Sequence, residues 1–154
     1  MSDRRLRVLF VCTGNSARSQ MAEALLQRMG DGRFEAFSAG TDPRGVHPLT
    51  VRVLEGVGID SSALRSKSVE EYLGQEFDFV VTVCDRARES CPVFPGGAEA
   101  LHWGFDDPAA ATGTEEERLA VFERVLGEIR TRLSSFVPVA MRSPERAATT
   151  IPGR

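Results

Sequence analysis

Apolar and polar positions follow two different rhythms along this chain. Residues 7–12 (Arg-Val-Leu-Phe-Val-Cys) form a nearly unbroken apolar run, the pattern of a strand buried on both faces of a parallel sheet. Thr13-Gly14-Asn15-Ser16 interrupts it. From Ser16 onward Met21, Ala22, Leu25, Leu26 and Met29 recur at helical spacing, until Gly30-Asp31-Gly32 ends the pattern. The same signals predict a second strand over 34–38 and a helix over 48–57. They also predict a short helix over 68–73, a β-branched third strand over 77–83 and a fourth strand over 98–103. The longest helix is predicted over 114–136, with Leu119, Phe122, Val125, Leu126, Ile129 and Leu133 as its buried stripe.

Strands alternating with helices predict a three-layer α/β/α fold around a four-stranded parallel sheet. After Pro138 the periodicity gives way to Ser, Pro, Arg and Thr. One domain is therefore expected over 1–137, with a mobile tail over 138–154. Ligands of such sheets bind beyond the carboxyl ends of the strands. Cys12 ends the first strand, Cys84 follows the third, and Asp106-Asp107 follows the fourth. Three chemically useful groups thus fall at one edge.

Composition narrows the function. No apolar run reaches the roughly 18 residues of a membrane helix, and the apolar stretch after the basic N-terminus is too short for a signal peptide. The cytoplasm is the expected compartment. A net charge of −3 disfavours a nucleic-acid footprint. The 3 cysteines, Cys12, Cys84 and Cys91, are odd in number and lack zinc-ligand spacing, so neither a disulfide framework nor a metal is expected, and no cofactor is called for. His47 and His102 have no partner pattern and read as structural. Lys67 is the sole lysine, so any functional lysine must be that one.

The segment Cys12-Thr13-Gly14-Asn15-Ser16-Ala17-Arg18-Ser19 carries the chemistry. A strand delivers a thiol to a turn that opens a helix, whose first N–H groups have no internal partners. Those groups and the helix dipole attract an anion. Gly14 keeps side-chain bulk off a ligand, and Asn15 tolerates the left-handed backbone of an anion-binding nest. Thr13 through Arg18 are therefore the expected oxyanion cradle, with the Arg18 fork matching two oxygens. A thiol in such a field is held as the nucleophilic thiolate, and Ser19 can donate a hydrogen bond to it.

Residues 11–23, Val-Cys-Thr-Gly-Asn-Ser-Ala-Arg-Ser-Gln-Met-Ala-Glu, resemble the phosphate-binding loop of the low-molecular-weight protein tyrosine phosphatases and of the arsenate reductases that share their fold. Phe37-Ser38-Ala39-Gly40-Thr41 and Gly58-Ile59-Asp60 match as well, and the resemblance spans roughly residues 6–137. It implies that Asp107 of Asp107-Pro108 is the general acid. Phosphatases of this kind follow that pair with aromatic residues that stack on phosphotyrosine; here Ala109-Ala110-Ala111-Thr112-Gly113 follows. Residues 83–92 and 103–109 instead resemble the thioredoxin-coupled arsenate reductases.

That second resemblance implies a relay. Cys12 attacks arsenate, Cys84 attacks Cys12 and releases arsenite, and Cys91 leaves a Cys84–Cys91 disulfide for thioredoxin to reduce. Phosphate and sulfate would be competing oxyanions. The alternative is a tyrosine phosphatase working through a Cys12 phospho-enzyme; a non-catalytic oxyanion-binding or redox-sensing module is a third reading. Two departures stand out. Ala17 occupies a place where many such reductases carry a further cysteine, which the relay does not need. Some relatives bind potassium through positions matching Asn15, Glu23 and Ser38 plus a carboxylate; Lys67 falls at the carboxylate position, where its ammonium can replace the ion.

Overall fold

The computed structural model describes residues 4–142. Four strands, β1 (Leu6–Cys12), β2 (Phe34–Gly40), β3 (Phe79–Thr82) and β4 (Glu99–His102), form one sheet in the order β2-β1-β3-β4. All three pairings are parallel. Helices α1 (Arg18–Met29), α2 (Pro48–Gly56), α3 (Asp85–Ser90) and α4 (Glu115–Arg142) connect and cover them. This is the predicted α/β architecture. β1 is central because Val8, Leu9, Phe10 and Val11 are all fully buried, as its unbroken apolar run requires.

The strand order puts β2 and β3 on opposite sides of β1. The carboxyl end of β1 is thus the point where the winding reverses, and a crevice opens there. Cys12 occupies that end, paired in register with Gly40 of β2, while Val11 pairs with Thr82 of β3.

Several elements differ from the sequence pattern: β2 runs on to Gly40, β4 is trimmed to Glu99–His102, and α3 is not among the predicted helices. Residues 69–72 form a 3-10 turn, Val69–Tyr72, closed by the Ser68 side chain accepting from the Glu70 N–H. β3 is shorter than its β-branched run, although Asp78 N–H and Val83 N–H still donate to the Arg7 and Val11 carbonyls at 2.8 and 2.9 Å. α4 does not stop at Phe136 but continues through Pro138 to Arg142. The expected tail over 138–154 therefore begins as helix, and its remainder lies outside the described residues.

The physical reason is that Pro138 and Ser134 are both exposed, so water can satisfy the Ser134 carbonyl that loses its partner. Meanwhile Phe136 stacks edge-on against Phe79 and Trp103 at 5.0 and 5.2 Å, and Ala140 is buried. Burying one such aromatic is worth about 1.5–3 kcal/mol, of the order of what an interior proline costs. No helix among the described residues is long and apolar enough to cross a membrane.

Candidate active site

The 12–18 loop owes its shape to where its carbonyls go. Thr41, Asp42 and Arg44 donate backbone N–H bonds to the carbonyls of Cys12, Thr13 and Gly14 at 3.1, 2.8 and 2.9 Å. Gln20 Nε2 reaches the Asn15 carbonyl at 3.1 Å, and His47 N–H the Ser16 carbonyl at 3.1 Å. Five successive carbonyls thus face the surrounding protein. In each peptide plane the following N–H points the opposite way, so the N–H groups of the loop converge on its interior. Asn15 supports this with φ of 46°, the left-handed conformation that asparagine tolerates. α1 begins behind Ala17, which makes no side-chain cap; no side chain competes with an anion for the first-turn N–H groups. This is a nest for an oxyanion.

Cys12 lies at the base of the nest, 2% exposed. Asn15 N–H donates to its Sγ at 3.2 Å, and Ser19 Oγ lies 2.8 Å from it. The direction of that second bond follows from the partners behind it. Lys67 N–H can only donate, and it bonds Asn15 Oδ1 at 2.8 Å. That fixes the Asn15 amide, whose Nδ2 then donates to Ser19 Oγ at 2.8 Å and Ser38 Oγ at 3.0 Å. Ser19 accepts from Asn15, so its own hydrogen is free to point at sulfur. The sulfur has two donors, as a thiolate nucleophile needs.

A cavity of about 380 Å³ opens above Cys12, lined by loop residues together with Arg18, Arg44, Cys84, Arg86, Asp107 and Ala109. The three groups expected at one sheet edge are therefore brought together. Cys84 is buried, with Sγ 3.4 Å from Thr13 Oγ1. Arg18 donates to the Phe105 carbonyl at 3.1 Å and faces Asp107 Oδ2 at 3.7 Å. Asp107, 46% exposed, also accepts from Ala109 N–H at 3.0 Å. Its neighbour Asp106 turns away to pair with Arg124 at 3.3 Å.

Cys91 is not in this cavity. It lies across α3, lining a separate hollow of about 320 Å³ with Phe94 and Leu101. α3 spans the residues between the two cysteines, with Cys84 and Cys91 as its flanking caps. All three cysteines are free thiols. Burial pushes the Cys91 thiol above its ordinary pKa.

Several contributors have no strong signal in the sequence. Gly40 is needed because a Cβ there would sit 2.5 Å from the Thr13 carbonyl and 2.9 Å from Asn15 N. Gly14, by contrast, has room for a Cβ within the protein, the nearest atom being 3.6 Å away. His47 caps α2 by accepting from Leu49 N–H through Nδ1 at 3.0 Å. His102 bridges Thr82 Oγ1 at 2.8 Å and Asp85 Oδ1 at 2.9 Å, tying α3 to the sheet. Arg44 reaches the cavity from a segment with no motif of its own, and Arg86 from the 83–92 segment, where the sequence drew attention to the cysteines alone.

Residues 7–146 match the family described as low molecular weight phosphotyrosine protein phosphatase. The chain belongs to that family. The chain is 45% identical over 129 residues to the arsenate reductase of Halalkalibacterium halodurans, an alignment covering 84% of this chain and 93% of that one. Among solved structures, the arsenate reductase of Archaeoglobus fulgidus superposes with a TM-score of 0.70 at 34% identity, over 85% of this chain and 98% of that one. A thioredoxin-dependent arsenate reductase of Corynebacterium glutamicum gives 0.67 at 26% identity, over 90% and 62%. Both share with this chain the family's fold, a four-stranded parallel sheet with its flanking helices.

Proposed function

We propose that the protein is an arsenate reductase that uses Cys12, Cys84 and Cys91 in sequence and thioredoxin as reductant. The observation that carries this is that Cys84 shares the Cys12 cavity while Cys91 sits at the other end of the same six-residue helix. A phosphatase of this family needs Cys12, Arg18 and Asp107 but has no task for two further thiols. The methyl group of Ala109 at the cavity, where an aromatic residue would stack on phosphotyrosine, supports the same choice.

The chemistry balances as follows. Cys12 Sγ attacks arsenic in the nest, and an oxygen departs as water with a proton from Asp107. Arg18 and the loop N–H groups hold the remaining oxygens. Cys84 Sγ then attacks Cys12 Sγ. A Cys12–Cys84 bond forms, the sulfur–arsenic bond breaks, and its electron pair stays on arsenic, which leaves as arsenite. Cys91 attacks Cys84 and expels the Cys12 thiolate. Two electrons have passed to arsenic, and thioredoxin returns two when it reduces Cys84–Cys91. Phosphate and sulfate fit the same nest and compete for it.

The last thiol step needs α3 to open. Residues 85–90 are helical, with Cys84 and Cys91 extended on either side; at helical rise alone seven residues span about 10.5 Å along the axis, whereas a disulfide needs Cα atoms roughly 4.4–6.8 Å apart. Opening also relieves the burial that raises the pKa of the Cys91 thiol. Amide exchange over 84–91 is expected to be faster in the oxidised protein; equal exchange in both states counts against the relay.

The deciding experiment follows arsenate-dependent NADPH oxidation with thioredoxin and thioredoxin reductase, in wild type and in Cys12→Ser, Cys84→Ser and Cys91→Ser. Turnover in wild type and loss in all three variants is the expected result. Hydrolysis of aryl phosphates without arsenate turnover, requiring Cys12 alone, overturns the reductase reading in favour of a phosphatase.

A further inference from the structure

Three guanidinium groups line the Cys12 cavity, and they differ in how they are neutralised. Arg18 faces Asp107 at 3.7 Å, and Arg44 pairs with Asp42 at 2.9 Å. Arg86, in the first turn of α3, is exposed and has no carboxylate within ion-pair distance among the described residues. Its charge therefore adds to the positive potential at the cavity mouth with no carboxylate partner to offset it. Arg86 also lies between Cys84 and Cys91, on the segment that must leave the helix when those cysteines join.

We propose that Arg86 is a third oxyanion-binding arginine whose place on α3 makes oxyanion affinity depend on the redox state. In the reduced protein it adds its charge to the nest; formation of Cys84–Cys91 withdraws it, and the oxyanion binds more weakly. By linkage, a bound oxyanion disfavours the disulfide to the same degree. The redox half rests on the thiol relay proposed above; the binding half does not.

Arg88 provides the internal control. It has the same charge on the same helix but lines the other cavity, beside Cys91. The test measures inorganic phosphate binding by calorimetry in a Cys12→Ser background, where no phospho-enzyme forms and Cys84–Cys91 is the one disulfide the chain can make within itself. Diamide is the oxidant and takes the two electrons and two protons of the dithiol.

In the reduced protein, Arg86→Gln is expected to weaken phosphate binding about two- to fivefold, the range of an exposed charge pair. The effect should shrink as salt rises. Arg86→Lys should retain most of the affinity and Arg88→Gln all of it. Oxidation should lower affinity in the Arg86 protein and change it little in Arg86→Gln. Unchanged binding in reduced Arg86→Gln overturns the binding half. An equal loss on oxidation with and without Arg86, or no Cys84–Cys91 disulfide with diamide, overturns the coupling. Because phosphate binding needs no arsenate turnover, a protein that fails to reduce arsenate yet binds phosphate as expected separates this inference from the reductase reading.

Discussion

Lys67 Nζ lies 3.5 Å from Glu23 Oε1, with only 8% of the lysine side chain exposed. The same ammonium donates to the Arg65 carbonyl at 2.7 Å and to Ser38 Oγ at 3.4 Å. Ser38 in turn accepts from Asn15 and donates to Glu23. A buried positive charge therefore closes the layer directly behind the nest, among the residues that the sequence resemblance led one to expect at a potassium site. Lys67→Met is expected to cost about 1–3 kcal/mol, below the usual cost of breaking a fully buried pair because Glu23 is 26% exposed. A lowered Tm checks it. Wild type should melt at the same temperature in potassium and sodium chloride, whereas Lys67→Asp should be stabilised by potassium. A potassium response in wild type would show that the ammonium does not replace the ion.

Ser19 is directed at the Cys12 sulfur by Asn15, so its loss should weaken the nucleophile rather than the fold. A hydrogen bond to a charged group is worth about 1.5–3 kcal/mol. Ser19→Ala should therefore lower kcat about ten- to a hundredfold with little change in phosphate affinity. Steady-state kinetics beside phosphate calorimetry separates the two; equal loss in both would mean the loop itself had shifted.

The two glycines that touch the nest should respond differently. At Gly40 a methyl group would collide with the backbone of Thr13 and Asn15, neither of which can rotate away. Gly40→Ala is expected to cost about 1–3 kcal/mol and to disturb activity. Gly14→Ala meets only ordinary contacts, so its unfolding free energy should stay near that of wild type. Chemical denaturation of both variants is the check, and comparable destabilisation would refute the distinction.

His47 should make stability fall in mild acid. Its pKa is lowered from 6.5, first by burial and next by Arg118, with Asp107 acting in the opposite direction. The unfolded chain therefore takes up a proton before the folded one does. Stability is full above pH 6.5, declines as pH falls through that value, and has lost the whole contribution once pH is below the folded pKa. His47→Asn keeps a capping oxygen for Leu49 N–H but cannot titrate. Its Tm should be flatter than that of wild type between about pH 5 and 6.5, above the range where carboxylates dominate. Parallel Tm profiles would assign the dependence to other groups.

Much of this protein is written locally. The apolar run of residues 7–12, the break at Thr13-Gly14 and the helical spacing after Ser16 dictate strand, turn and helix through nearest-neighbour sterics and periodicity. They place Cys12, the nest and Arg18 within one short stretch. Alternation of strands and helices does the same for the parallel sheet, and hence for the sheet edge where Cys84 and Asp107 also fall. What tertiary structure decided is everything that depends on contact between distant segments. Four of the loop's five outward carbonyls are held by residues 41–47 and the fifth by Gln20, and Gly40 is required by its close approach to Thr13 and Asn15. Asp107 rather than Asp106 faces the cavity because Arg124 of α4 draws the other away. Arg44 enters the site from the loop before α2 and Arg86 from the first turn of α3, placements that no periodicity encodes. α4 outlasts Pro138 because Phe136 and Ala140 find a core to bury in, and burial energy depends on what lies opposite rather than on the residue itself.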